Sequence, residues 1–176
     1  MTAAADLHFV VLAAGASTRF GSPKQLARVQ GVPMVQLALS RTEAVAGHAV
    51  SVVLGANAAE IAPGLARSPV TLVINRGWAE GLAASIRAGI EHLPGHTGSA
   101  LLLLADQCAV TSADLQRLID VWCRDRQAIV SAQPARRSGR PGTAAQPGRP
   151  ACWRRHAQRC DRRRYRAGAG SAGAPA

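Results

Sequence analysis

Aromatic side chains and long apolar runs are scarce in this chain of 176 residues, and their scarcity excludes whole classes of protein. Only 3% of the residues are aromatic. The longest apolar runs, "HFVVLAA" and "ALLLLA", fall far short of the ~20 residues that a membrane helix needs. The N-terminus has no basic segment ahead of an apolar run and no small-residue cleavage site after one. We therefore expect a cytoplasmic protein that makes no use of a membrane, with a core of alanine, valine and leucine.

Closely spaced cysteine pairs are absent as well. Cys108, Cys123, Cys152 and Cys160 form no CxxC motif, which argues against a disulfide framework and fits reduced thiols in the cytoplasm. Cys152, His156 and Cys160 are spaced four residues apart, as ligands on one helix face would be. Three ligands without a fourth do not make a structural zinc site, and we assign no metal to them.

Acidic residues are almost missing from the last quarter of the chain, and this explains the formal net charge of +11. Residues 1–130 carry ten lysines and arginines against nine acids, whereas residues 131–176 carry eleven arginines against one. The tail is built of arginine, alanine, glycine and proline and cannot bury enough apolar surface to offset its ordering entropy. We predict a folded domain over 1–131 and a disordered basic tail over 132–176. Such a tail would bind polyanions without specificity and with strong salt dependence.

Short apolar runs alternate with helical patterns throughout the first 130 residues. Five runs predict buried parallel strands, at 8–13, 49–55, 70–75, 99–105 and 127–130. Pro33 suits the first position of a helix, and Thr111 with Asp114 predicts a capping box. Leu82, Ile86, Ile90 and Leu93 form an apolar stripe at helical spacing, closed by Pro94-Gly95. The alternation predicts an α/β fold of three layers with a doubly wound, mostly parallel sheet, whose ligands bind beyond the carboxyl ends of the strands.

The stretch "LAAGASTRFGSPKQL", residues 12–26, lies at that edge of the predicted sheet. Gly15 and Gly21 allow a tight turn with exposed amides, and Ser17 and Thr18 add hydroxyl donors. Two cations in the same stretch, Arg19 and Lys24, suit phosphate oxygens. The pattern is neither GxxxxGK[ST] nor GxGxxG, and an ordinary connection with solvated charges remains an equal alternative. The single literal GxGxxG, "GAGSAG" near the C-terminus, has no strand before it, and we treat it as a chance match.

Two further segments follow predicted strands at the same edge. "INRGWAEGLAASIRAGI" runs through two glycines into a helix that carries Ser85, which alone could equally be an ordinary helical serine. In "ALLLLADQCAVTSADL", Asp106 follows the most hydrophobic strand, where a carboxylate can hold Mg²⁺ against phosphates or simply cap a turn.

These three blocks, in this order and spacing, resemble the signature blocks of the MobA-like nucleotidyltransferases. Within that group they resemble most the molybdenum cofactor cytidylyltransferases. The resemblance covers residues 8 to about 131 and implies a Rossmann-like nucleotidyltransferase fold. It also implies transfer of CMP from CTP to the phosphate of molybdopterin, with Mg²⁺ as cofactor and pyrophosphate as the product released. A molybdoenzyme or its chaperone would be the protein partner. The sequence LAAG, where guanylyl members carry LAGG, favours CTP over GTP.

The resemblance also assigns roles residue by residue. The nucleotide-binding positions would be Leu12, Ala13, Ala14, Gly15, Ser17, Arg19 and Lys24 in the first block, and Asn75, Gly81 and Ser85 in the second. Asp106 matches the metal ligand, and Arg19, Lys24 and Asp106 would carry catalysis. No covalent intermediate on the protein is required, since this chemistry depends on positioning and electrostatics.

Departures from the family pattern concern the C-terminal part. Cys108 stands where relatives have proline, and the later Gly-Asp motif with the second metal ligand is missing. Codons for residues 136–143 and 160–166, shifted by one nucleotide, can encode Gly-x-x-Gly-Val-Pro-Ala-Leu and Thr-Gly-Asp. We therefore expect that the tail is read in a non-native frame.

The sequence leaves three alternatives to a molybdenum cofactor cytidylyltransferase. The chain could be an impaired remnant that binds nucleotide without turnover, or a cytidylyltransferase for a sugar phosphate or an isoprenoid-precursor phosphate. The third alternative, a nucleic-acid-binding protein acting through its basic tail, fits least well.

Overall fold

The computed structural model describes residues 6–46, 49–126 and 130. The strands in chain order are β1 (Leu7–Ala13), β2 (Arg28–Val29), β3 (Val32–Pro33), β4 (Val50–Leu54), β5 (Thr71–Ile74) and β6 (Ser99–Leu104). The helices are α1 (Met34–Ala46), α2 (Ala58–Leu65), α3 (Leu82–Glu91) and α4 (Ser112–Arg124), with 3₁₀ turns at Lys24–Leu26 and Trp78–Glu80. None of the described helices is long and apolar enough to cross a bilayer.

A four-stranded parallel sheet in the order β5-β4-β1-β6 forms the centre of the fold. Every residue of β1 and of β4 is buried, which is the pattern of strands covered on both faces. In the middle of the sheet Val11 pairs with Val52 on one side and with Leu103 on the other. The predicted α/β fold with flanking helices and a parallel sheet is confirmed, and so are its first four strands. The fifth predicted strand, 127–130, falls mainly on residues outside those described, as does the tail with its predicted disorder and reading frame.

The strand order places a topological switch point at β1. The chain builds outward from β1 to β4 and β5, then returns to the opposite side of β1 to form β6. In an open parallel sheet such a reversal of strand order places a crevice beyond the carboxyl ends of the neighbouring strands, here β1 and β6. The first and third sequence blocks begin at these two strand ends.

Helix α3 packs closely on one face of the sheet, and its small residues make this possible. A Cβ added at Gly89 would lie 2.6 Å from Val10 Cγ1 and 3.0 Å from Val53 Cγ2. The predicted apolar stripe is therefore only partly right, because Leu82 and Ile90 are exposed while Ala84, Ser85 and Gly89 are buried. The close approach of the backbone, rather than side-chain size, determines which face of α3 meets the sheet.

A β-hairpin precedes α1, and the sequence analysis missed it. β2 and β3 pair antiparallel across Gln30 and Gly31, both with positive φ (53° and 85°), as in a two-residue type I′ turn. The prediction that Pro33 begins the helix is therefore wrong by one residue, since Pro33 ends β3 and pairs with Arg28. Gln-Gly is a weaker signal for this turn than Asn-Gly or Asp-Gly.

The predicted capping box at the start of α4 is present. Asp114 Oδ2 accepts the Thr111 N–H at 3.0 Å, and Thr111 Oγ1 accepts the Asp114 N–H at 3.2 Å. The hydrogen bonds from Thr111 lower the pKa of Asp114 below its ordinary value. The chain divides into two units, 1–119 and 120–176; the sheet lies in the first, and of the second only 120–126 and 130 are described.

We expect a buried histidine in β1 to make the stability of the fold depend on pH. His8 is 8% exposed and its Nε2 lies 2.8 Å from Ser51 Oγ. Burial, and secondarily the charge of His96, lowers the pKa of His8 below 6.5. The unfolded chain binds a proton at His8 more readily than the folded chain does. The free energy of unfolding is therefore unaffected by this group above pH 6.5, and it falls as the pH drops toward the folded-state pKa of His8. Urea unfolding of the chain at pH 7.5 and 5.5 should show this loss, and His8→Gln should reduce it. The exposed His92→Gln variant should retain it, and an unchanged pH dependence in His8→Gln would contradict the assignment.

Candidate active site

A cavity of about 410 Å³ opens at the switch point, beyond the carboxyl ends of β1 and β6. Its lining comes from the three sequence blocks and consists of Leu12, Ala13, Ala14, Gly15, Ser17, Lys24, Gln25, Trp78, Gly81, Leu82, Ser85, Leu104, Ala105 and Asp106. Nine of the eleven predicted site residues line it. The exceptions are Asn75, which donates a hydrogen bond to Ser85, and Arg19, which lines an adjoining cavity.

In the loop after β1 the backbone adopts the left-handed conformation at Ser17, whereas Gly15 does not adopt it. Ser17 has φ 57°, and its carbonyl accepts the Phe20 N–H at 2.8 Å. A Cβ added at Gly15 would meet nothing within 4 Å, so this glycine borders open space in the cavity. A serine in the left-handed region is unfavourable by itself, and such residues persist where neighbouring contacts hold them.

Those contacts come from Gln25, a buried residue that the sequence analysis did not assign. Gln25 Nε2 donates to the carbonyl oxygens of Ala13 and Gly15, both at 2.9 Å. Ser17 Oγ donates to Gln25 Oε1 at 3.2 Å and accepts the Lys24 N–H at 3.0 Å. The Ser17 hydroxyl has one proton, which it donates in the hydrogen bond to Gln25. Ser17 therefore shapes the loop and has no donor left for a ligand.

The loop structure therefore depends on a single side-chain amide, which can be tested by substitution. Gln25→Leu keeps the volume but leaves two carbonyls and a hydroxyl without their partner, which should lower the free energy of unfolding by about 2 kcal/mol. Gln36→Leu is the matched control, because Gln36 Nε2 also donates to a carbonyl, that of Gly64, but at an exposed site. Its cost should stay below about 0.5 kcal/mol. Equal losses in urea unfolding would contradict the role of Gln25.

Lys24 and Asp106 meet across the mouth of the cavity. Lys24 Nζ lies 2.9 Å from Asp106 Oδ2, although the two residues come from different sequence blocks. Both side chains remain about half exposed, at 41% and 47%. One cation and one carboxylate thus face the same opening, where a ligand can reach either group.

The second block supplies the opposite wall through the start of α3. Gly81 has φ 103°, a conformation that favours glycine, and α3 begins directly after it. Asn75 Nδ2 donates to Ser85 Oγ at 3.1 Å, and Asn75 Oδ1 accepts the Gly77 N–H at 2.9 Å. Ser85 therefore receives one hydrogen bond from Asn75, and since it lines the cavity its hydroxyl can donate to a ligand there.

Arg19 lines a second, more open cavity of about 420 Å³ with Ser17, Thr18, Phe20 and Lys24. Within the described part of the chain no acidic side chain pairs with Arg19. Lys24 borders both cavities, so the two cations of the loop can act on one extended anion.

The site fits a divalent cation held by one protein carboxylate and completed by phosphate oxygens. Asp106 supplies the carboxylate, which already pairs with one positive charge, the ammonium of Lys24. No group of three or more His, Cys, Asp or Glu side chains suited to a metal occurs among the residues described. Mg²⁺ is commonly bound by one or two carboxylates together with substrate phosphates, so one carboxylate is compatible with such a site.

Gly55 and Trp78 also belong to this site and were missed from the sequence. A Cβ on Gly55 would collide with the Ala14 carbonyl oxygen and lie 2.6 Å from Trp78 Cβ. Gly55 thus brings the end of β4 against Ala14 and Trp78, both of which line the cavity. No sequence motif marks Gly55, because its partners are distant in the chain.

Comparisons with known proteins give a family match and a curated relative. The family model of the MobA-like NTP transferase domain matches residues 9–173. Nicotine blue oxidoreductase of Paenarthrobacter nicotinovorans is 36% identical over 113 residues, which are 62% of this chain and 54% of that protein. The chain thus spans about half the length of this relative.

Solved structures resemble the chain over similar stretches. Rv0371c of Mycobacterium tuberculosis H37Rv matches with 30% identity and a TM-score of 0.60, over 69% of this chain and 62% of that one. The same protein is also known as a manganese complex, with 27% identity and a TM-score of 0.56, over 68% and 60% of the two chains. A nucleotidyl transferase of Methanothermobacter thermautotroptrophicus matches with 26% identity and a TM-score of 0.57, over 66% and 57%.

Proposed function

Since this chain belongs to the family of MobA-like NTP transferase domains, we propose that it is a nucleotidyltransferase that uses CTP. The acceptor in this proposal is the phosphate of molybdopterin or of the molybdenum cofactor, and the second product is pyrophosphate. The observation that carries the proposal is the meeting of Lys24 and Asp106 at the mouth of the switch-point cavity. A cation and a carboxylate at one opening suit a triphosphate and its accompanying metal ion.

The residues of the loop bind and orient the triphosphate. Backbone amides near Gly15, together with the side chains of Lys24 and Arg19, offset the negative charge that builds up on the leaving pyrophosphate. Ser85 donates its O–H to the nucleoside side of the ligand. The acceptor phosphate attacks the α-phosphorus in line, the bond to pyrophosphate breaks, and no group of the protein becomes covalently attached.

Asp106 is the residue that would hold Mg²⁺. When bound, the ion neutralises charge on the phosphate oxygens. Support for a divalent cation comes from the single carboxylate at the cavity mouth and from the manganese complex of a structurally similar protein.

The choice of CTP is supported by Ala14 in the LAAG sequence, which in the resemblance distinguishes cytidylyl from guanylyl members. Ala14 lines the switch-point cavity, so its methyl group borders the space that the nucleotide would occupy. The molybdopterin acceptor follows from the resemblance of the three blocks.

The assay that tests the proposal incubates the full chain with Mg²⁺, CTP and molybdopterin, and measures pyrophosphate. We expect release with CTP that exceeds release with GTP, and none without acceptor. Parallel reactions with a sugar phosphate and with an isoprenoid-precursor phosphate identify a related cytidylyltransferase. Absence of pyrophosphate with every acceptor would contradict the proposed activity.

A second candidate is a remnant that binds CTP without turnover. It is favoured by the lining of the cavity, in which Asp106 is the one carboxylate among the residues that the structure describes. Calorimetric titration with CTP separates the two candidates, since the remnant would bind the nucleotide and release no pyrophosphate. Removal of residues 132–176 tests the nucleic-acid-binding alternative, since polyanion binding should vanish while CTP binding survives.

A further inference from the structure

We propose that Lys24 occupies the carboxylate of Asp106 while the site is empty, and that the phosphates of an incoming nucleotide release it for the metal ion. This inference rests on the proposed function, because it assumes that phosphates and a divalent cation share this cavity. Its consequence is that nucleotide and metal bind with positive cooperativity, and that metal alone binds weakly.

Lys24 and Asp106 form a close contact between their side chains. Lys24 Nζ donates to Asp106 Oδ2 at 2.9 Å, the distance of a charge-assisted hydrogen bond. A divalent cation that binds Asp106 must displace this ammonium or bind beside it, and the two positive charges repel one another. The lysine thus competes with metal for the carboxylate that the metal needs.

The side chain of Lys24 can leave Asp106 without disturbing the loop. Its backbone N–H is fixed by Ser17 Oγ at 3.0 Å, while its side chain is 41% exposed. Rotation of the side chain alone can therefore move the ammonium from Asp106 toward a ligand at the loop. An exposed ion pair of this kind is weak, and an anion with several negative charges can replace it.

The other cation of the loop, Arg19, is not paired with Asp106. Arg19 lies in the adjoining cavity and has no acidic partner within the described residues. The two cations differ in this respect although they carry the same charge and lie five residues apart. This difference provides a matched control.

The test measures binding of Mn²⁺ alone to the full chain, from the electron paramagnetic resonance signal of the free ion. Lys24→Met should bind Mn²⁺ about five- to tenfold more tightly than the parent chain, because both the competing hydrogen bond and the repulsion are removed. Arg19→Met removes the same charge without freeing Asp106 and should change the affinity less than about twofold. The gain of Lys24→Met should vanish when Asp106→Asn is added. Both side chains are half exposed, so folding should be retained, and thermal unfolding checks this.

Two results of this experiment would overturn the inference. The first is an unchanged Mn²⁺ affinity in Lys24→Met, which would mean that the ammonium does not restrict the carboxylate. The second is an equal gain in Arg19→Met, which would mean that only the overall charge of the loop matters.

Binding of CTP in EDTA tests the release of Lys24 in a double-mutant cycle. Asp106→Asn should tighten metal-free CTP binding severalfold when Lys24 is present, because the lysine is then free for the phosphates. In the Lys24→Met background, Asp106→Asn should give less than half of that gain in metal-free CTP affinity. Equal gains in both backgrounds would show simple repulsion by the carboxylate and would refute the release. The Mn²⁺ measurement needs neither nucleotide nor turnover, so it can succeed where the transfer assay fails, and the reverse.

Discussion

Asp106→Asn should lower the rate of pyrophosphate release by about a thousandfold, with little change in the thermal stability of the chain. Asp106 lines the cavity mouth and faces Lys24, and its side chain is 47% exposed. Asparagine has the same shape but no charge, so the phosphates would lose the carboxylate that holds their counter-ion. An exposed ion pair contributes only about 0–1 kcal/mol to stability, so folding should be almost unaffected.

Asp114→Asn is the matched control for this change. Asp114 accepts hydrogen bonds from Thr111 and Arg117 at the start of α4, away from the cavity. Loss of this cap should reduce stability by about 1 kcal/mol while turnover stays within about twofold of the parent chain. The two variants should therefore show opposite effects in a paired measurement of turnover and thermal unfolding. Retention of more than a tenth of the activity in Asp106→Asn would refute the role of this carboxylate.

Gly55→Ala should destabilise the chain by about 3 kcal/mol or prevent folding altogether. The new Cβ would collide with the Ala14 carbonyl oxygen and lie 2.6 Å from Trp78 Cβ and 2.9 Å from Ala14 Cβ. Backbone and Cβ atoms cannot rotate away as the end of a long side chain can. The end of β4 would have to move away from the loop, and CTP affinity should fall together with stability.

Gly64→Ala is the control for Gly55→Ala and should have the opposite sign. Gly64 lies within α2, and a Cβ there would meet nothing within 4 Å. Alanine favours the helix over glycine by about 0.5–1 kcal/mol, so urea unfolding should show a small stabilisation. A loss of similar size in both variants would indicate a general intolerance of alanine instead of the specific contact with Ala14.

The sheet could be predicted from the sequence because its strands are buried on both faces. Runs such as "HFVVLA" carry no polar alternation, and a parallel sheet is the structure that hides such strands. The capping box of α4 was predictable for a related reason, since Thr111 and Asp114 interact over three residues. Both signals are local and need no knowledge of the rest of the fold.

The candidate site was predictable only where its residues follow strands directly. Asp106 comes just after the end of β6, and the loop begins at the end of β1, so parallel pairing brings them together. Gln25 and Gly55 were missed because their roles depend on contacts between segments distant in the chain. The buried face of α3 was misjudged for the same reason, since only the packed sheet reveals that Gly89 must approach Val10.

The ring of hydrogen bonds around the Gln25 amide has a consequence for ligand affinity. It joins Ala13, Gly15, Ser17 and, through Ser17, the backbone of Lys24 by bonds between groups of the protein alone. Freezing one residue of a flexible loop costs about 1–2 kcal/mol, and here that cost is met during folding. An arriving nucleotide then meets a preorganised surface, so more of its contact energy should appear as affinity and less should be lost to ordering the protein.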